Sequence, residues 1–339
     1  MNIAIVGFGT AGKHYFNLLK SKKKFKIFVI DKLSIPQSDK FKQTSFEEIK
    51  KNKLFFDYAI IASPSGLHFK HAFFFLKNGA NVLIEKPFVL RLDHAKKLIN
   101  ISSKKKLKCW TSLQNRYNLA TTKLRSEINS KSIGKISLVD CMMLWHRDKE
   151  YYFENWRGKY STDGGVLTNQ AIHLLDTLIF NFGKINNFDV YAAFNKSKLQ
   201  AEDLIIINFR HQNGILSSFK ATTRADRNYR SAIDIIGEKG RIIIKGISLN
   251  TFSKFKNNNL TLNKNFSENF GENLGATGGM GFGHKKILNE FLVKNKKSSK
   301  KLEIKENYYL LKVIHSIYNC IYKSKKINKI QDKNSILGK

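Results

Sequence analysis

The sequence predicts an α/β protein of two domains, an N-terminal parallel sheet wound on both faces by helices and an α+β domain with a large, predominantly antiparallel sheet. Three observations predict it. Short apolar runs alternate with helical stretches over the first third of the chain. Farther on, apolar runs follow one another through turns. The 339 residues suffice for two cores, since domains commonly run to roughly 100–200 residues. The spacing places the boundary near residue 120, giving domains 1–120 and 121–339.

Ile3 to Val6 reads as a buried strand ending at Gly7, and Gly12 to Lys20 carries the apolar spacing of a helix. Phe25 to Ile30 is a second strand, closed by Asp31, and Ser45-Phe46-Glu47-Glu48 is a capping box opening a short helix. Tyr58 to Ala62 makes the third strand, and Leu67 to Lys77 a helix stopped by Asn78-Gly79. Val82 to Ile84 is the fourth, leading into Glu85-Lys86-Pro87. Asp93 is read as the N-cap of a helix over His94 to Ser102, with a strand from Leu107 to Ser112 after it. Beyond residue 130 the strands expected are Ile136 to Leu144, Val190 to Phe194, Leu204 to Phe209, Ile215 to Thr222, Ala232 to Ile236 and Arg241 to Ile244. Helices over Gln170 to Phe180 and near both ends pack on one face of that sheet.

Sixty Lys plus Arg against 26 Asp plus Glu give a net charge of +34, a balance that attracts nucleic acid, anionic membrane or acidic small molecules alike. The lysines fall in short runs such as Lys22 to Lys24 and Lys104 to Lys106, with no nucleic-acid module around them, so the expectation is an anionic small-molecule partner and no nucleic acid. No apolar run reaches bilayer length and the first residues enter a strand directly, so neither a membrane span nor a signal peptide is expected and the protein is placed in the cytoplasm. Cys109, Cys141 and Cys320 are scattered, without metal-ligand spacing, and no metal is expected.

Gly7-Phe8-Gly9-Thr10-Ala11-Gly12 follows a strand and opens a helix, the context in which a G-x-G-x-x-G carries meaning as a dinucleotide-binding Rossmann fingerprint. Gly7 permits the tight turn, Gly9 the approach of a pyrophosphate and Gly12 close helix-strand packing. Asp31 closes the second strand about twenty residues on, where a carboxylate accepts hydrogen bonds from the adenosine ribose and repels a 2'-phosphate. The expected cofactor is therefore NAD. A plain turn residue is the other reading of Asp31.

With Glu85-Lys86-Pro87 closing the fourth strand, the chain resembles the Gfo/Idh/MocA oxidoreductases. Ser63-Pro64-Ser65-Gly66-Leu67-His68 resembles the family's loop beside the nicotinamide half of the cofactor, which implies that Ser63, Pro64, His68, Glu85 and Lys86 lie at the cofactor. Gly164-Gly165-Val166-Leu167-Thr168-Asn169-Gln170-Ala171-Ile172-His173 resembles the substrate-domain signature, where a polar residue and a histidine stand four apart. Gln114-Asn115-Arg116-Tyr117-Asn118, Trp156-Arg157-Gly158 and Gly281-Phe282-Gly283-His284 resemble the family members that act on nucleotide sugars. The resemblance implies oxidation of a sugar hydroxyl, at C3 of UDP-N-acetylglucosaminuronate, in surface polysaccharide synthesis (O-antigen or capsule). It also implies a homodimer or homotetramer paired through the large sheet.

Oxidising a secondary alcohol needs a hydride acceptor and a base for the hydroxyl proton. His173 and Lys86 are both candidates for the base, and Lys86 could instead stabilise the developing alkoxide. Asn169 stands where many relatives carry Asp and cannot itself take a proton. Arg157 and Arg116, with Arg147 a weaker candidate, have the planar fork that grips a carboxylate or phosphate, against the reading of ordinary salt bridges. Gln170 and Asn169 complete the expected substrate contacts. Asp176 either orients His173, caps a helix or is an exposed helix-face carboxylate, and His68 either meets the cofactor or only starts a helix. The glycine-rich stretch from Gly271 to Gly283 is a closing loop over a diphosphate or a connector, and Tyr151, Tyr152, Phe153 and Trp156 stack on a ligand or pack. Three functional alternatives stand beside the main one: a dehydrogenase of another nucleotide sugar or of a free polyol such as inositol, a non-catalytic NAD(H) sensor, and a basic nucleic-acid binder.

Overall fold

The computed structural model describes residues 1–36, 38–153, 156–194, 199–256, 259–264, 283–293, 300–323, 328–330 and 332–338. The glycine-rich stretch up to residue 282 lies outside the described residues, as do lysines 296–297. In chain order the strands and α-helices of the first third are β1 (Asn2–Val6), α1 (Thr10–Leu19), β2 (Lys26–Ile30), β3 (Lys42–Gln43), α2 (Phe46–Lys51), β4 (Tyr58–Ile61), α3 (His68–Lys77), β5 (Asn81–Ile84), α4 (Leu92–Lys105) and β6 (Cys109–Thr111). The remainder runs α5 (Leu119–Asn129), β7 (Ile136–Leu144), α6 (Lys149–Phe153), α7 (Val166–Asn169), α8 (Ile172–Phe182), β8 (Ile185–Ala193), β9 (Leu204–His211), β10 (Leu216–Thr222), β11 (Arg230–Gly237), β12 (Gly240–Lys245), β13 (Thr251–Lys256), β14 (Asn259–Lys264), α9 (Gly283–Phe291), α10 (Ile304–Lys323) and β15 (Asn328–Lys329).

Two compact units emerge. The first comprises Met1–Ser112 together with His284–Tyr309, the second Leu113–Gly283 together with Leu310–Lys339. A linear division at residue 120 does not express this return of a C-terminal segment to the first unit.

The first unit holds a six-stranded sheet in the order β3-β2-β1-β4-β5-β6, parallel throughout. That is the doubly wound order, with β1 and β4 at its centre. Ile3, Ala4, Ile5 and Val6 are all buried, as are Tyr58 to Ile61, because strands covered on both faces need continuous apolar runs. The capping box forms as expected: Ser45 accepts from the Glu48 N–H at 3.1 Å while Glu48 accepts from the Ser45 N–H. The Asp93 reading is corrected, since α4 begins at Leu92 with Arg91 as N-cap and Asp93 inside the first turn. There its carboxylate faces the helix dipole favourably and pairs with Arg91 at 3.0 Å.

The second unit holds a nine-stranded sheet, β14-β13-β12-β11-β7-β10-β9-β8-β15, antiparallel except for the β7–β10 pair. Its buried face carries Val139, Cys141, Ile205, Ile207, Phe219 and Ile233 at alternating positions. Leu138, Ile206, Leu216 and Tyr191 point to the opposite face and are 43%, 40%, 46% and 72% exposed. Strands β13, β14 and β15 lie outside the expected set. Each is short and carries Lys, and β14 and β15 carry Asn as well, residues depleted in strands that interrupt the apolar pattern.

Candidate active site

In the first unit, Gly7 leaves β1 with φ +90°, a left-handed conformation, and a Cβ there would lie 2.6 Å from the Ala62 carbonyl oxygen. A Cβ on Gly12 would lie 2.0 Å from the Gly7 carbonyl oxygen, so this turn of α1 seats directly on the loop. Gly9 is the N-cap and brings no side-chain oxygen, which leaves the first N–H groups of α1, on Thr10 and Ala11, without a capping partner of the usual kind. Asp31 accepts from the Phe8 N–H at 2.7 Å and from the Leu33 N–H at 3.0 Å, so it ties the glycine loop to the end of β2 while keeping lone pairs to spare. A cleft of about 640 Å³ opens there, lined by Phe8, Gly9, Lys13, Asp31, Ile35 and Phe41. These residues fit the phosphate and ribose end of a dinucleotide, with a helix N-terminus for the anion and a carboxylate for the ribose hydroxyls.

Pro64 and Ser65 lead into the turn before α3, and the Ser63 hydroxyl lies 2.9 Å from His71 Nδ1. Burial, with the neighbouring His68 and Lys70 charges, lowers the His71 pKa to about 4. His68 is 1% exposed, and its ring nitrogens sit 2.8 Å from the Pro87 carbonyl and 2.7 Å from the Ser63 carbonyl. It therefore staples the Ser63 loop to the Lys86-Pro87 turn, whose peptide bond is cis, and gives neither nitrogen to solvent. Glu85 is likewise turned inward. Its carboxylate accepts from the Tyr15 hydroxyl at 2.8 Å and faces His284 Nε2 at 3.5 Å. Burial alone would push its pKa up, but His284, Tyr15 and Lys86 together pull it down to about 2. Lys86 follows at the C-terminal end of β5, where parallel sheets bind ligands. His284, the second residue of α9, is 1% exposed and packs edge-on against Tyr15 and His14.

In the second unit the signature segment is two helices. The Ala171 N–H bonds back to the Val166 carbonyl, five residues away, and this wider turn separates α7, which the sequence reading did not include, from α8, which matches the helix expected over Gln170 to Phe180. The Gln114 carboxamide nitrogen lies 3.3 Å from His173 Nε2. With the Gln114 amide group donating, Nε2 is an acceptor and able to take a proton; with the carboxamide turned over, Nε2–H donates to its oxygen. Asn169 Nδ2 donates to both carboxylate oxygens of Asp163, at 2.8 and 2.7 Å, and its Oδ1 accepts from the Tyr151 hydroxyl at 3.4 Å. Gln170 donates to the same Tyr151 hydroxyl at 3.2 Å. Arg157 donates to the Tyr151 carbonyl at 3.0 Å and lies 4.0 Å over its ring, which fixes its fork beside the aromatic cluster.

Arg116 is placed differently from the expectation. Its guanidinium is bonded in bidentate fashion to Asp176, which is itself 1% exposed, and stacks on Phe180 at 4.5 Å. Asp176 thus neither caps a helix nor orients His173. Arg147 lies over the Trp145 ring at 4.9 Å.

Three residues of this constellation escape pattern reading, Asp163, Glu202 and Tyr318, and Gln114 was quoted in a motif without a role. Glu202 sits outside the signature, yet its backbone carbonyl accepts from the Val166 N–H and its carboxylate from the Leu167 N–H at 3.0 Å and the Tyr318 hydroxyl at 2.9 Å. A Cβ on Gly165 would lie 2.3 Å from that carboxylate, and one on Gly164, at φ +81°, would lie 2.0 Å from Thr168 Oγ1, which is why two glycines precede α7. Burial raises the Glu202 pKa to about 7. Only the glycine pair signals in the sequence that something must approach closely.

Residues 1–113 match the family model described as "Oxidoreductase family, NAD-binding Rossmann fold", and residues 121–243 match "GFO/IDH/MocA C-terminal domain". The chain belongs to the Gfo/Idh/MocA oxidoreductase family, and its N-terminal domain is the family's NAD-binding Rossmann domain. Among solved structures it is similar to the WlbA dehydrogenase of Bordetella pertussis in complex with NADH and UDP-GlcNAcA, at 21% identity and a TM-score of 0.80, over 97% of this chain and 98% of that one. It is also similar to a levoglucosan dehydrogenase in complex with NADH, at 17% identity and 0.78, over 98% and 99%. At such identities the likeness establishes the fold. Among curated relatives, the inositol 2-dehydrogenase of Rubrobacter xylanophilus is 25% identical over 61% of this chain and 57% of its own length. The chain spans about half the length of the curated relatives it matches. Among the described residues no helix is long and apolar enough to cross a membrane, and no group of His, Cys, Asp and Glu could hold a metal.

Proposed function

We propose that the protein is an NAD-dependent dehydrogenase that oxidises a hydroxyl of an anionic nucleotide sugar, at C3 of UDP-N-acetylglucosaminuronate, for surface polysaccharide synthesis. The observation that carries the dehydrogenase reading is the 3.3 Å Gln114–His173 contact, which holds a titratable imidazole against a carboxamide in the family's substrate domain. Similarity to a WlbA structure holding UDP-GlcNAcA supports the substrate, as do Arg157 fixed over Tyr151 and the net charge of +34.

Bound NAD supplies the hydride acceptor, with Gly9 and the first turn of α1 meeting its phosphates and Asp31 its ribose. His173 Nε2 accepts the hydroxyl proton, and the Lys86 ammonium stabilises the oxygen as negative charge develops. With the roles reversed, a deprotonated Lys86 is the base. Arg157 grips the substrate's anionic group.

The test is incubation of the purified protein with NAD and UDP-N-acetylglucosaminuronate, UDP-N-acetylglucosamine or inositol, following NADH absorbance and product mass. The expected result is loss of two hydrogens from the uronate, with Lys86→Ala and His173→Ala each lowering kcat by about 100-fold or more. Turnover on inositol alone would move the chain to the free-polyol reading that the Rubrobacter relative supports. Bound NAD without turnover on any of the three would overturn the proposal. We further propose that copies pair, as a dimer or tetramer, through the sheet face bearing Leu138, Ile206 and Leu216.

A further inference from the structure

Asn169 occupies a position where a carboxamide can be presented in two ways, amide outward as a donor or carbonyl outward as an acceptor. Distance alone does not separate them, because the two ends have the same shape. Chemistry does. Asp163 is 2% exposed, and both its oxygens lie within 2.8 Å of one end of the Asn169 side chain. A carboxylate only accepts, so that end must be the NH2 group. The Gly158 N–H, 3.2 Å from Asp163 Oδ2, holds the carboxylate in place from the other side. The remaining end of Asn169 is the carbonyl oxygen, and the Tyr151 hydroxyl, donating to it at 3.4 Å, agrees with that polarity.

We propose that Asp163 is a positioning residue that sets the polarity of Asn169, so that Asn169 offers an acceptor to the substrate hydroxyl. The pair does at one remove what a single carboxylate at position 169 would do directly: it orients the hydroxyl hydrogen without competing for the proton. The charge stays buried on Asp163, and the proton is left to His173 or Lys86. This inference rests on the proposed reading that Asn169 touches substrate.

Three variants test it: Asp163→Asn, Asn169→Asp, and the exchanged pair D163N/N169D. Asp163→Asn leaves two carboxamides and a free choice of orientation, so kcat is expected to fall on the order of ten- to a hundredfold, in protein that melts as one folded species and keeps its affinity for NAD. Asn169→Asp sets two carboxylates within hydrogen-bond distance, which forces one of them to hold a proton. Its melting temperature should therefore drop as pH rises from 5 to 8, more steeply than that of the wild type. The exchanged pair restores one donor and one carboxylate, and should recover both the melting temperature and kcat to within about tenfold of the wild type.

Wild-type kcat in Asp163→Asn, or an exchanged pair that recovers the melting temperature but not kcat, would show a merely structural contact and overturn the inference while leaving the proposed function intact. A wild type silent with every sugar would overturn the proposed function, and the substrate half of this inference with it. The pH dependence of Asn169→Asp melting would still report whether the two side chains meet as described, and a flat profile there would overturn the inference by itself.

Discussion

Glu85 and Glu202 are both buried carboxyl groups, and their surroundings move them in opposite directions. Glu85, held down to about 2 by His284, Tyr15 and Lys86 against the effect of burial, is ionised in the folded protein well below the usual carboxylate range. Its contribution to stability is present above pH 4.5 and is lost as pH falls toward 2. Glu202, raised to about 7 by burial, keeps a proton that the unfolded chain has already released, so stability declines as pH rises from 4.5 to 7. The expected loss is on the order of 3 kcal/mol. Urea titrations at pH 5 and pH 8 should show this slope in the wild type and its absence in Glu202→Gln; equal slopes would assign the pH dependence elsewhere. Neither group was legible as such. Glu85 belonged to a quoted motif whose family resemblance implied a cofactor contact, and only the folded chain reveals that its partners arrive from residues 15 and 284. Arg116 shows the same limit, because nothing in its neighbourhood announces a buried carboxylate sixty residues away.

Elements were legible where their signals are local. The capping box at Ser45 needs only four residues, and Ser45→Ala should cost about 1 kcal/mol in a urea titration without changing NAD affinity. The strands of the first sheet were legible because burial on both faces writes itself as an unbroken apolar run. Long-range demands were not: α7 lies outside the helix expected over Gln170 to Phe180, and its start is set by the Glu202 carbonyl and carboxylate holding its first N–H groups. Gly165 marks that contact. Gly165→Ala would drive a methyl group into the Glu202 carboxylate, and a destabilisation of about 1–3 kcal/mol is expected, with kcat falling in parallel as the segment bearing Asn169 shifts. In the other sheet's domain, Gly12→Ala should abolish NAD binding in a fluorescence titration, since its Cβ would collide with the Gly7 carbonyl. Retained affinity would show that the loop yields.

At the scale of the whole molecule, the nine-stranded sheet presents one covered face and one bearing Leu138, Ile206, Leu216 and Tyr191. Replacing Leu138 and Ile206 together by Lys should shift the mass measured by light scattering toward a single chain, and an unchanged mass would locate the pairing surface elsewhere. The order of the strands within that sheet bears also on how the chain is made. Strand β7 leaves the ribosome first of the nine, but its neighbours are β10 and β11, so its hydrogen-bonding edges wait for residue 237. At translation rates of about 5–20 residues per second, a strand ending at Leu144 spends roughly 5–20 s with at least one edge unmatched. The first unit waits longer still, for a segment ending at Tyr309. Nascent chains of this protein are therefore expected to lean on holding chaperones during synthesis, a demand set by the order in which its strands are translated.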